Sequence, residues 1–390
     1  MTRFLKGITW GHPRGYDPLI AGALAFRAVA PDIEVQWSQR NLTAFGEQPI
    51  EMLARQFDLL IVDHPFCGVA AATRCLIDLG SLIPGLLLRE LEQDSVGPST
   101  ESYRYAGGIW ALPTDAAAQV AAYRPDLLSA IRGGLPARLS DTMALAARAR
   151  AQGKWIGIPL GFIDAACTFL SLLAGLGCRL DEQGSATLDR RALAEVLDIL
   201  ASLAAAAHPS SLKCNPIQML EQMSKEDEIV YVPYVFGYSN YSRLDSAGRL
   251  RFTNVAGPGS DPQAGALLGG AGCAVSAHCT DPAAAAAYLE FVHTKEHQMG
   301  LYFDAGGQPG RLSAWTDERV NELSHDYFRS TLPTLKKSFR RPRHKGFVPF
   351  MSNIGKSINT WLGSGGSSAT LIEIISRAYE SSFDRPAAIA

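Results

Sequence analysis

The sequence predicts an α/β protein built as two lobes. Short extended runs alternate with helical ones over residues 3–63, and a second alternation begins near residue 118. The 390-residue length exceeds the roughly 250–300 residues at which single cores stop growing. Two cores are therefore expected.

Taken in order, "RFLKGITW" reads as a strand, "PLIAGALAFRAVAP" as a helix ended by Pro31, "IEVQWSQ" as a strand, "QPIEMLARQF" as a helix and "DLLIVD" as a buried strand. This βαβαβ order implies a parallel sheet flanked by helices, in which ligands lie beyond the carboxyl ends of the strands. "AAQVAAYRPDLL" is an extended segment running into a turn, and "WIGIPLGF" is a strand. "DAACTFLSLLAGLG" is a helix with Asp164 as N-cap and Gly177 near its end. "LDRRALAEVLDILASLAAAA" is an amphipathic helix, "IVYVPYVFGYSNYSR" a strand entering an aromatic loop, and "GALLGGAGCAVS" another strand. Residues 281–311 read as a capped helix, a second helix and a Gly-rich turn, and "GSGGSS" at 363–368 as a short loop.

Apolar residues make up 47%, charged residues 19%, and the net charge is −2. That balance excludes the basic excess of a nucleic-acid binder. No apolar run is long enough to be embedded in a membrane. The N-terminal "MTRFLKGITWGHPRG" lacks the apolar core and cleavage site of a secretory leader, so the expected location is cytoplasmic as written, or periplasmic if a leader was trimmed. Seven cysteines, an odd number without CxxC spacing, read as free thiols and not as a zinc site. No metal and no cofactor is expected.

Three passages resemble the extracellular solute-binding proteins of ABC importers, the maltose-binding-protein-like family 1. They are "YAGGIWALPTDAAAQVAAYRPDLL", "LGGAGCAVSAHCTDPAAAAAYLEFV" and "GGQPGRLSAW", in matching order along the chain. The resemblance implies a periplasmic-binding-protein type 2 fold: two hinge-connected α/β lobes with a ligand cleft between them. It places 1–113 plus 257–308 in one lobe and 114–256 plus 309–390 in the other, with hinges near 113–118, 255–265 and 307–311. It further implies a monomer that takes a small-molecule ligand, a sugar or a ring-bearing carboxylate, and hands it to an ABC permease.

The residues supply candidates for that ligand. "GITWGHPRGYDPLI" places Trp10, His12, Arg14 and Tyr16 after the first strand, and "DHPFCG" places Asp63 and His64 after the third. Both stretches fall at one sheet edge. Trp110, Asp115, Tyr238 and Asn240, with Tyr234 and Tyr241 nearby, extend the set, and Gly270 in "GGAG" marks a close backbone approach. Aromatic faces meet the apolar side of a ring, and aimed polar groups meet its oxygens. Arg14 suits a carboxylate through its planar fork. A second reading is an enzyme on the same scaffold, with Asp63, His64 and Cys67 catalytic. Cys67 would stand at a helix N-terminus, which favours its thiolate, or else serve only as a small packing residue, as would Cys167. "NLT" at 41–43 fits a glycosylation acceptor nominally, and "RRPRHK" at 340–345 reads as a solvated loop or a contact for an anion.

Overall fold

The strands observed along the chain are β1 (Arg3–Trp10), β2 (Ile33–Arg40), β3 (Leu59–Val62), β4 (Arg104–Tyr105), β5 (Gly108–Ile109), β6 (Leu112–Tyr123), β7 (Trp155–Ile156), β8 (Ile229–Phe236), β9 (Arg251–Thr253) and β10 (Leu268–Val275). They come from a computed structural model that describes residues 2–184, 188–244 and 249–383. The chain divides into two compact units. Unit 1 holds Met1–Ala117, Gly269–Glu322 and Arg343–Lys345, and unit 2 holds Ala118–Leu268, Leu323–Pro342 and Gly346–Ala390. The chain thus changes unit at 117/118, 268/269, 322/323, 342/343 and 345/346, whereas the sequence reading put the changes at 113/114, 256/257 and 308/309.

In unit 1 the strand order is β2-β1-β3-β10-β6. β1 runs parallel to both β2 and β3, as the βαβαβ reading requires. All four residues of β3 are buried, the mark of a strand covered on both faces. β10 departs from the parallel expectation. It enters at the carboxyl end of β3, with Gly272 opposite Val62, and so must run antiparallel. Leu5, Val35, Leu59 and Ile61 pack with Phe26, Tyr288 and Leu289 as the core of this unit.

Local chemistry explains where elements differ from expectation. Helix α1 (Pro13–Val29) starts at Pro13 and not at Pro18, because His12 supplies the cap: its Nδ1 accepts from the Arg14 amide at 3.1 Å. The helix expected over 48–57 shortens to α3 (Ile50–Ala54), preceded by an unanticipated α2 (Leu42–Glu47). Asn41 of "NLT" caps α2 by accepting from the Ala44 amide at 2.8 Å.

In unit 2 the order is β6-β8-β7, with β9 paired to β6. Helix Phe162–Gly175 is buried from Asp164 to Ala174, and Arg190–Ala206, Phe347–Ser364 and Ser368–Ser381 contribute to the same core. Of "WIGIPLGF" only Trp155–Ile156 is strand, since Pro159 has no amide to extend a ladder. Asp164 is not the N-cap. The helix begins at Phe162 after Gly161, which carries Asp164 into the buried first turn. Desolvation there pushes its carboxyl up to about 8.

The basic run at 340–345 is a further correction. Arg341, Arg343 and His344 are buried, and Arg343–Lys345 belongs to unit 1 while its flanks belong to unit 2. Arg343 Nη1 donates to the carbonyls of Glu101, Ser102 and Arg104, and its guanidinium lies 5.3 Å from the Tyr105 ring. The Arg343 carbonyl passes so close to Gly68 that any Cβ there would collide with it. The run is buried because its cation satisfies carbonyls left over at the end of a short helix, Ser99–Ser102.

Candidate functional site

The carboxyl ends of β1, β2 and β3 lie along one edge of the unit 1 sheet, with Trp10 paired to Arg40 in register. β10 begins at that same edge. The loop after β1 therefore presents Gly11 and His12, the turn after β3 presents Asp63, and the start of β10 presents Gly270. Gly270 adopts φ +93°, and a Cβ there would strike the Asp115 carbonyl of β6, so only glycine fits without strain.

Arg14 reaches this neighbourhood but faces inward. Its Nε donates to Asp115 Oδ2 at 2.8 Å and its Nη2 to Oδ1 at 2.5 Å, with the two side chains 4% and 1% exposed. Burial pushes the Asp115 carboxyl above its ordinary range, and Arg14 opposes that push. The fork expected to hold a ligand carboxylate thus holds an internal one, because β6 delivers Asp115 to the first turn of α1.

Trp10 is buried, with Gly15 against its indole and the Phe45 ring at 5.2 Å. Its Nε1–H has no hydrogen-bond acceptor among the described residues. Tyr16 leans over β2, its hydroxyl 3.5 Å from the Trp37 carbonyl. Asp63 caps a 3₁₀ turn, His64–Phe66, accepting from the His64 amide at 2.8 Å and lying 3.1 Å from His64 Nδ1. His64 is fully buried, edge-on to Tyr103. Cys67 does open α4 (Cys67–Thr73), yet its thiol is buried 3.8 Å from the Ser102 carbonyl. Of the Asp63, His64 and Cys67 set, only Asp63 is partly exposed. Cys167 is likewise buried in the unit 2 core.

Trp110 stands apart, buried before β6 and donating from Nε1 to the Tyr105 carbonyl at 2.9 Å. Tyr238 and Asn240 follow β8 in unit 2, Tyr238 buried and Asn240 half-buried. There the Tyr241 ring meets Tyr238 edge-on, and its hydroxyl donates to Glu221 at 2.8 Å. Tyr234 is core.

One edge residue escapes the sequence reading. Arg40 closes β2, where the predicted strand stops at Gln39, so the rule that ligands sit at carboxyl ends would have found it had the strand been one residue longer. Its Nη2 donates to the Ile61 carbonyl at 3.1 Å, and its guanidinium lies 5.3 Å from the Phe45 ring. Among the described residues, no three His, Cys, Asp or Glu side chains are placed to hold a metal, and no helix is long and apolar enough to cross a membrane.

Comparison with known proteins identifies the fold and the family. No curated protein sequence matches the chain. Among solved structures, maltose-bound MalE3 of T. maritima superposes with a TM-score of 0.83 at 19% identity, covering 97% of this chain and 99% of that one. A ribitol-bound ABC transporter solute-binding protein from Agrobacterium radiobacter K84 gives 0.82 at 18%, covering 97% and 98%. UgpB from Mycobacterium tuberculosis with glycerophosphocholine gives 0.79 at 14%, covering 98% of each chain. The fold is therefore the two-lobed periplasmic-binding-protein fold. The model of the bacterial extracellular solute-binding proteins matches residues 56–325, and the chain belongs to that family.

Proposed function

We propose that this protein captures a small, polar, oxygen-rich solute at the carboxyl edge of the unit 1 sheet and delivers it, as a monomer, to an ABC-type permease. The observation carrying this reading is the gathering of Trp10, His12, Asp63 and the glycine backbone of residues 11 and 270 where β1, β3 and β10 meet. Polar groups and close-approach backbone together suit a hydroxylated ligand. The solved neighbours hold maltose, ribitol and glycerophosphocholine, which supports the size and polarity of the solute. The buried side chains of His64 and Cys67 favour capture over chemistry.

Calorimetry against sugars, polyols, their acids and phosphodiesters tests the reading. His12→Asn and Asp63→Asn keep the capping acceptors and so spare the fold. They should weaken binding of any solute found by about tenfold or more. A solute bound equally by all three proteins, or consumed during incubation, would count against capture at this edge. Cell fractionation decides the place of action, which seven free thiols and an extracellular family argue in opposite directions.

A further inference from the structure

Two arginines stand near the site edge, and their surroundings are opposite. Arg14 is neutralised by Asp115. Among the described residues Arg40 has no such partner, and burial lowers it to about 10. Its Nε and Nη1 are enclosed without a hydrogen-bond acceptor among the described residues, as is the Trp10 Nε1 beside it in register. The guanidinium crosses the end of β1, one corner pinned to the Ile61 carbonyl of β3 and one face over Phe45, whose ring also flanks Trp10. The residue as a whole is half-buried, with Nε and Nη1 enclosed and the remainder of the side chain bordering solvent.

The idle donors of Arg40 and Trp10 collect here, while Asp63, the acidic group already placed at this edge, accepts from the His64 amide at 2.8 Å and lies 3.1 Å from its Nδ1. A desolvated cation with idle N–H groups is costly in an empty protein, and natural chains keep such features where a ligand resolves them. A neutral hydroxyl would satisfy one donor but leave the charge uncompensated. An oxyanion meets both needs, since its oxygens accept several hydrogen bonds and its charge offsets the guanidinium. We infer that Arg40, with the Trp10 indole N–H, is the anion-recognition element of the site, so that the captured solute carries a carboxylate or a phosphate group.

This inference rests on the proposed solute site and deepens it. The test uses the full chain, with phosphate and acetate as minimal probes and chloride at equal ionic strength as control. One of the two oxyanions should raise the melting temperature saturably where chloride does not, and which one does so names the group. Arg40→Met should abolish that rise while melting no lower than the native protein when empty, because a desolvated charge has been removed; Arg40→Lys should keep part of it. Glucuronate should bind about ten- to hundredfold tighter than glucose if acetate is the effective probe, and glycerol 3-phosphate over glycerol by the same margin if phosphate is. Oxyanions that act no better than chloride would overturn the inference, as would an Arg40→Met protein that still responds to them or melts several degrees lower when empty. A neutral solute bound equally by native and Arg40→Met proteins would overturn it too, while leaving solute capture standing.

Discussion

Replacing Arg14 by Met should damage stability before it affects any ligand. The guanidinium and the Asp115 carboxylate are almost completely enclosed and share two charge-assisted hydrogen bonds at 2.8 and 2.5 Å. Removing one member leaves a buried carboxylate uncompensated, which costs about 3–5 kcal/mol. Burial already holds Asp115 above its ordinary range against the pull of Arg14, so without that pull it rises further. A carboxyl raised in the folded state contributes stability that is full below its unfolded value, about 3.9, and lost as pH rises through the folded value. The deficit of Arg14→Met is therefore largest near neutrality and shrinks as the pH is lowered toward 4. Adding Asp115→Leu removes the stranded charge and should recover most of the loss. Urea unfolding of the native, single and double variants at pH 7 and pH 4.5 measures all of this. A single-variant loss below about 1 kcal/mol, a loss unchanged by pH, or a double variant no better than the single would refute the reasoning.

Acid should weaken unit 1 through its buried histidines. Burial lowers His293 and His297 to about 4, so their contribution is full above the ordinary 6.5 and lost as pH falls through 4; melting temperatures across that window should fall, and less steeply for His297→Phe. Gly270→Ala meets both φ +93° and the Asp115 carbonyl, and should cost roughly 1–3 kcal/mol, read by calorimetry; a neutral outcome would mean the β10 entrance is looser than described. Thiol titration without reductant should find seven free groups after unfolding and at most Cys178 and Cys214 reacting promptly in the native protein, because the other five are buried and burial pushes Cys279 up to about 12.

Much of the fold was legible because its signals are local. β1, β2 and β3 show in runs of apolar and β-branched residues, and the convergence of the post-β1 and post-β3 stretches follows from parallel strands alone. Capping was less legible: His12 and Gly161 moved helix starts and Asn41 opened a helix the sequence reading lacked, since a cap depends on the dihedral angles of one residue. The charges were not legible at all. Sequence marks Arg14 as a cation but cannot say that Asp115, 101 positions away, is folded against it, nor that Arg343 crosses 242 positions to cap Glu101. Arg40 gained its importance from what tertiary packing withheld. A charge exposed to water behaves much the same in any fold, whereas a buried one is governed by the few groups that the complete chain brings within 3 Å of it.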